Sequence, residues 1–448
     1  MKKNSFFGGV HIDAHKEFTN TLSIITAPAP KTVYIPLSQH IGVPCQPIVK
    51  IGDEVKMGQM VGESRGFVSI PVHSSVSGRV TGIQRKPTAN GRFVDCIVIQ
   101  NDFEDTLYES IIATEEPDKL TAKEILEKIT NSGVAGMGGA TFPTHVKLSP
   151  PPDKNIEYII LNGIECEPFL TADHRILVER SEKILQGLIY LLKTQPLAKG
   201  LIAIEDNKPD AIQIFSRLLE KQQNISLVIC PEKYPQGSEK QLIYACLERE
   251  VPAGGLPSDV GVIVQNVGTA AAITDAVEQN MPLIERVLTI NGNGIAKPQN
   301  LSVRIGTLYS DLVELAGGFI ASPSIVISGG LMMGTAVFTL DIPVTKGTSG
   351  ILVFNDSSPF AKRERERDCA RCAKCVDVCP MSLEPSSIAA YARKGRWEDA
   401  ERFEAISCVE CGSCAFVCPC QIPLVQYIRL AKQYITSKGQ GPTNPLVK

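Results

Sequence analysis

From Val33 to about Gln100 apolar residues alternate with polar ones in short runs: VYIPLSQH, PIVKIGDEVKMGQMVGE, SIPVHSSVSGRVTGI and FVDCIVIQ. Gly-Asp, Met-Gly and Ser-Gly pairs break the runs, and a period of two with such breaks predicts a compact antiparallel barrel or sandwich. The pattern changes at Thr121, where TAKE precedes ILEKI. That is a capping box, with Thr121 as the cap and Glu124 three residues on. From there to about Asn280, strand-like runs (EYIILN, GLIAIE, SLVIC, GVIVQN) alternate with helical ones such as ILVERSEKILQGLIYLLK. Such alternation predicts a parallel α/β sheet, whose ligands lie at the carboxyl ends of its strands. Residues 284–340 return to short strands around TINGNGIAKPQNLSVRIGT. The alternating charges of AKRERERD then read as a solvated linker or helix face before a cysteine-rich end. An irregular lead ending in APAPK precedes all of this.

Composition narrows the function classes. The 448 residues, 43 % hydrophobic and 21 % charged, describe a globular chain of several domains. Lys and Arg number 45 against 48 Asp and Glu, and there is one Trp, so neither a basic track nor a base-stacking set points to nucleic acid. The uncharged stretch from Leu315 to Leu340 is long enough for a membrane helix. Pro323 and the pairs Gly317-Gly318 and Gly329-Gly330 interrupt it, so it reads as buried strands and turns. Of 14 cysteines, nine fall between Cys369 and Cys420, and Cys45, Cys96, Cys166, Cys230 and Cys246 are scattered. With an opening MKKNSFFGGV that holds no apolar signal core, this distribution predicts metal or redox work in a reducing compartment.

Two quartets carry that chemistry. Cys369-x-x-Cys372-x-x-Cys375-x-x-x-Cys379-Pro380 is followed by Cys408-x-x-Cys411-x-x-Cys414-x-x-x-Cys418-Pro419. Three thiolates two residues apart wrap three corners of a cubic cluster, while the fourth, set by proline, serves the other cluster. One 4Fe–4S cluster then takes Cys369, Cys372, Cys375 and Cys418, and the second takes Cys408, Cys411, Cys414 and Cys379. Zinc is the competing reading of paired C-x-x-C. Two complete quartets, each with its proline, favour clusters. Cys420 has no place in the pattern.

A glycine loop follows the capped helix: Gly133-Val-Ala-Gly136-Met-Gly138-Gly139-Ala-Thr-Phe142-Pro143-Thr-His-Val-Lys147. Glycines admit a flat ring or a phosphate close to the backbone, and Lys147 offers a cation. Alone, such a cluster is most often a turn, and this one matches neither a Walker loop nor a regular dinucleotide fingerprint. At the next strand end, Asn162-Gly163-Ile-Glu165-Cys-Glu167-Pro168 places an amide and two carboxylates where a parallel sheet binds ligand. An exposed acidic turn is the other reading of that segment.

Taken in order, G-x-G-G-x-x-F-P-x-x-x-K, N-x-x-E-x-E-P, Tyr234-x-x-Gly237-x-Glu239 and Asn266-Val-x-Thr269 resemble the NADH- and FMN-binding flavoprotein subunit of respiratory complex I. GGVH, YIPLSQHIGVPCQPIVKIGDEV, PVHSSVSGRV and GGATFPTHVKLSPP resemble more closely the C subunit of the Rnf complex, the ion-translocating ferredoxin:NAD oxidoreductase. Met137, Thr141 and Ser238 depart from the complex I pattern, where a basic residue, a glycine and an acid stand. The run from GDEVKMGQMVGE to SSVSGRV resembles lipoyl and biotinyl carriers, but no carrier lysine lies between Lys56 and Lys86.

The resemblance implies a multidomain α/β chain. Its parts would be a lead (1–30), a barrel-sandwich hybrid (31–105), an α/β FMN/NADH-binding domain (118–282), a soluble-ligand-binding β-grasp domain (283–345) and a helical two-cluster ferredoxin-like domain (360–435). It implies that Gly136, Gly138, Gly139, Lys147, Asn162, Glu165, Tyr234, Gly237, Asn266 and Thr269 hold FMN. Phe142 would stack on adenine, Glu167 would bound the nicotinamide side, and Glu239 would accept from the adenosine ribose. Glu165 and Glu167 are thus the candidate catalytic carboxylates. A carboxylate that bonds the 2′-hydroxyl repels a 2′-phosphate, which favours NAD over NADP.

Nicotinamide exchanges hydride and a cluster passes one electron, so a flavin belongs between them. The implied partners are the other Rnf subunits, among them an iron–sulfur subunit and integral membrane subunits, with ferredoxin reached indirectly. The implied place is peripheral, on the cytoplasmic face of the bacterial cell membrane. Two other readings of the residues stand beside this one: a cobalamin reductase of bacterial microcompartments, and a non-enzymatic electron conduit with a dead flavin site.

Overall fold

The computed structural model describes residues 4–362 and 365–438. Residues 1–3 of the lead, and Arg363 and Glu364 of the charge run, lie outside the described residues. The alternating runs form two packed sheets. One has four strands in the order Thr32–Pro36, Phe93–Asn101, Gly78–Pro87, Glu54–Val55, and the other joins Gln46–Pro47, Met60–Glu63 and Val72–His73. Every second residue turns inward, so Val33, Ile35, Val61, Val72, Val80, Ile97 and Ile99 share one apolar core.

The capping box forms as the sequence predicts: the Thr121 side chain accepts from the Glu124 amide, and Glu124 reaches back to the Thr121 amide, opening the helix Ala122–Asn131. Beyond it stands a parallel sheet in the order Ile225–Cys230, Lys199–Glu205, Tyr158–Gly163, Val262–Asn266. The first strand in sequence lies inside the sheet, with later strands on both sides. A crevice opens at the carboxyl ends where the winding reverses. Helices Ser181–Thr194 and Val267–Gln279 cover one face. They meet at Gly187, where a Cβ would stand 2.0 Å from the Ala270 carbonyl oxygen, so only glycine permits this approach.

A six-stranded sheet follows, in the order Ile25–Thr26, Gln299–Arg304, Glu285–Asn291, Gly350–Phe354, Ile325–Ser328, Thr335–Ala336. It recruits a strand from the lead, and its strand Gly350–Phe354 lies past residue 345, because that strand pairs parallel to Glu285–Asn291. The stretch 315–340 forms short strands and turns, as its glycines and proline predict. Lys346, buried, donates to the carbonyls of Pro71 (2.9 Å) and Gly133 (2.7 Å). One ammonium thereby ties this sheet to the barrel and to the start of the glycine loop.

The last segment is helical. Lys374–Asp377 and Ser413–Phe416 are single turns at equivalent places in the two quartets, each entered through a left-handed residue, Ala373 or Gly412. Pro385–Arg393, Trp397–Arg402 and Leu424–Lys438 pack around Ile388, Ala392, Ala400 and Ile428. Among the described residues, no helix is long and apolar enough to cross a membrane.

Candidate flavin crevice and cluster site

The glycine loop is pinned from two sides. Its Gly136 amide donates to the Phe142 carbonyl at 2.8 Å, closing the loop on itself. The Met137 amide donates to Thr269 Oγ1 (3.0 Å), and Arg286 Nη2 donates to the Met137 carbonyl (2.8 Å). Thr269 is in place because Asn266 caps its helix, with Asn266 Oδ1 accepting from the amides of Gly268 and Thr269. A Cβ on Gly138 would stand 3.0 Å from the Asn266 side chain, while one on Gly139 would meet nothing within 4 Å. Gly138 therefore packs on the sheet end, and Gly139 faces open space.

Asn162, at its strand end, donates to the Gly237 carbonyl (2.8 Å) and accepts from the Ile164 amide (3.2 Å). Lys147 Nζ lies 2.8 Å from Glu239 Oε1 and 3.1 Å from the Val264 carbonyl. The carboxylate of Glu165 accepts from the amides of Asp173 (2.7 Å) and His174 (3.1 Å), which satisfies the start of the helix Ala172–Glu179. Glu167 accepts from the Met332 and Met333 amides at 2.9 Å each, and burial pushes its carboxyl above the usual range. Phe142 is half-buried beside the loop. Contacts thus link candidate positions across the carboxyl ends of the sheet: the glycine loop with Asn266 and Thr269, Asn162 with Gly237, and Lys147 with Glu239.

Two residues of the crevice carry no motif. Arg286, buried, also donates to Thr348 and is drawn electrostatically to Asp173 and Glu165. Asp173 Oδ2 accepts from Asn266 Nδ2 at 2.6 Å. Burial, with the Glu165 carboxylate as the second cause, pushes Asp173 up to about 6. Arg286 lies far along the chain and Asp173 at an ordinary helix start, so neither has a signal in spacing. Polar atoms without partners remain around the crevice: Asp173 Oδ1, both amide atoms of Gln236, and Gln265 Nε2. Buried polar groups left this way call for a polar ligand. Open space at Gly139, orphaned donors and acceptors, and the Lys147 cation together suit a flavin mononucleotide.

At the cluster end, Cys379, Cys408, Cys411 and Cys414 line one cavity with Leu383, Val409, Val425 and Ile428. Burial pushes the thiols of Cys379 and Cys414 up, and Cys408 up to about 11. Four sulfur donors around an apolar cavity can ionise together only against a multiply charged cation, which suits an iron–sulfur cluster. Cys375 and Cys418 pack on a neighbouring apolar group with Leu424 and Val425, whereas Cys369 and Cys372 are exposed. Cys420 is buried. The two sites touch: the Tyr234 hydroxyl donates to the Cys411 carbonyl at 2.6 Å and lies 3.4 Å from Glu167.

Comparison with known proteins agrees with this architecture. Residues 4–104 match the RnfC barrel sandwich hybrid domain and 129–275 the Nuo51 FMN-binding domain. Residues 287–336 match the SLBB domain and 368–423 a 4Fe-4S dicluster domain. The chain is 46 % identical to the C subunit of the Na(+)-translocating ferredoxin:NAD(+) oxidoreductase complex of Acetobacterium woodii, over 98 % of each chain. It is 47 % identical to the C subunit of the proton-translocating complex of Clostridium ljungdahlii, over 97 % of this chain and 95 % of that one. The C subunit of the ion-translocating oxidoreductase complex of Rhodobacter capsulatus is 39 % identical over 98 % of this chain and 84 % of its own. The chain belongs to the C-subunit family of ion-translocating ferredoxin:NAD(+) oxidoreductase complexes.

Proposed function

We propose that this chain is the NAD-reactive subunit of such a complex, exchanging hydride with NAD(H) at the crevice and single electrons through two 4Fe–4S clusters. Bound FMN supplies the conversion between two-electron and one-electron transfer. Gly136, Gly138 and Gly139, held by Thr269 and Arg286, present a bare backbone edge to it. Asn162, Gly237, Tyr234 and Asn266 line the strand ends around it, and Lys147 supplies the cation for a phosphate. Glu165 acts at one remove, shaping the loop by capping the next helix. Glu167, held by two backbone amides, bounds the nicotinamide side. Phe142 offers a face to adenine, and Glu239 offers an acceptor to the ribose hydroxyls.

The observation that carries this reading is the Tyr234 hydroxyl, which joins the Cys411 peptide to Glu167. It supports an order in which the cluster of Cys379, Cys408, Cys411 and Cys414 is nearest the flavin. The cluster of Cys369, Cys372, Cys375 and Cys418 then follows, with its exposed edge at Cys369 and Cys372 facing the partner. That partner is another component of the complex, iron–sulfur or membrane-integral. The chain docks on it at the cytoplasmic face, with ferredoxin reached only through it. Anaerobically purified chain should contain one FMN and about eight iron atoms. NADH should bleach flavin absorbance first and iron–sulfur absorbance second. Bleaching of the clusters without flavin, or zinc in place of iron, overturns the proposal.

A further inference from the structure

Residues 6–20 run as a strap from the cluster segment to the flavin crevice. At one end the Gly9 amide donates to the Val378 carbonyl (2.9 Å), next to Cys379, and Val10 exchanges backbone bonds with Tyr234 (2.8 and 2.9 Å). At the other end the Phe169 amide donates to the Ala14 carbonyl (2.8 Å), and the Thr19 and Thr171 hydroxyls share a bond of 2.7 Å. Between these ends, residues 11–17 border a cavity of about 400 Å³ whose other side includes Cys166, Glu205, Asn207 and Glu232. Along this stretch Ile12 packs with Val10 and Tyr234, and the His15 ring stacks on Phe169 at 4.7 Å.

The strap's buried polar anchor is Lys16. Its side chain is buried, and its ammonium donates to the carbonyls of Glu165 (2.8 Å), Glu167 (3.1 Å) and Leu170, with the Glu165 carboxylate at 4.0 Å. An ammonium has three donors, and here all three go to one short loop. That loop carries the two carboxylates of the crevice. Because all three donors are bonded, the burial of this ammonium is compensated, and removing it would leave three carbonyls of the loop without their donor.

We propose that Lys16 is a positioning residue for hydride exchange: it suspends the Glu165–Leu170 loop from the strap and so sets Glu167 against the nicotinamide. The proposal rests on the crevice being the FMN/NAD site. Through Val10 and Gly9 the same strap fixes that loop relative to Tyr234 and the Cys379 peptide.

The test compares Lys16→Met and Lys16→Gln with the unaltered full chain. Flavin and iron contents and dithionite bleaching of the clusters report folding. Amide hydrogen exchange over residues 165–170 reports the loop without any turnover. Stopped-flow mixing with NADH gives the flavin-reduction rate and the NADH concentration at half-maximal rate. In Lys16→Met, exchange over 165–170 should rise at least about tenfold. The saturating flavin-reduction rate should fall between about ten- and a hundredfold, with a smaller change in half-saturation. Dithionite bleaching should be unchanged. Lys16→Gln, which keeps a neutral donor, should fall between, and it decides the matter if Lys16→Met does not retain flavin. Unchanged exchange and rate in either folded variant overturn the role of Lys16. Failure of the underlying reading shows differently, as absence of NADH-driven flavin bleaching in the unaltered chain.

Discussion

The cluster site and the flavin crevice are built in opposite ways. The thiols that share a cavity come from two short stretches, Cys379 and Cys408 to Cys414, and local spacing alone shapes most of the site. The crevice has no such shortcut. Asn162 reaches Gly237, Met137 reaches Thr269, Glu167 reaches Met332 and Lys16 reaches Glu165, across separations of 75, 132, 165 and 149 positions. Damage to the first should therefore be local and all-or-none. Damage to the second should spread through the loops that share a bond.

The sharpest break in this contrast is at Cys411. Cys411→Ala should remove one cluster, leave the other and the flavin in place, and halve the iron content. NADH should still bleach the flavin, but onward transfer to the remaining cluster should nearly vanish, as followed by stopped-flow absorbance. Loss of flavin together with iron would show that the two sites fold as one. Gly138→Val is the counterpart in the crevice. A Cβ there is already 3.0 Å from Asn266, so a branched side chain displaces the cap that places Thr269 and the loop. Flavin retention should fall to near zero with iron unchanged, as measured by flavin and iron assay of the purified variant.

The same contrast explains what could be read in advance. The quartets, the capping box at Thr121 and the strand–helix alternation are local patterns; the structure reproduces the capping box and the alternation, and brings Cys379, Cys408, Cys411 and Cys414 around one cavity. The crevice motifs were legible only as a series, because each alone is an ordinary turn. Lys16, Arg286 and Asp173 were not legible, since their partners include residues far away in sequence, mostly in loops, and no spacing links them. Glu165 shows the limit from another side. Its position was legible, but its use as a helix cap depends on where the chain turns after Leu170. The pairing of Gly350–Phe354 with Glu285–Asn291 was likewise hidden, as a sheet partner so far along the chain leaves no periodic trace.

Asp173 gives a smaller, graded test. Its carboxyl is pushed up to about 6, whereas an unfolded chain's aspartate titrates near ~3.9. Between those values the native chain holds a proton that the unfolded chain has released. Stability should therefore fall as pH rises from about 4 to about 6, and then level off. Asp173→Asn keeps an acceptor for Asn266 and removes the titration. It should remove this contribution, so that the variant loses less stability than the unaltered chain as pH rises from about 4 to about 6. Urea midpoints at pH 4.5 and 7.5 measure the difference. A variant whose midpoint keeps the full pH dependence would place the raised carboxyl elsewhere.

The smallest expected effect is on nucleotide choice. Glu239 is paired with Lys147 at 2.8 Å, and both side chains are partly exposed. The carboxylate does two things for specificity: it repels a 2′-phosphate, and it occupies the cation that would otherwise attract one. Glu239→Gln removes the repulsion and frees Lys147 together, so both changes favour NADPH. Solvent screens a half-exposed pair, which keeps the gain modest, on the order of 1–2 kcal/mol or about tenfold in the NADH-to-NADPH ratio of kcat/KM. Lys147→Gln provides the control. It removes the attraction but keeps the repulsion, so it should weaken flavin retention without relaxing the preference for NADH. Steady-state rates with both nucleotides and an artificial acceptor decide it. Equal use of the two by the unaltered chain would remove Glu239 from the ribose site.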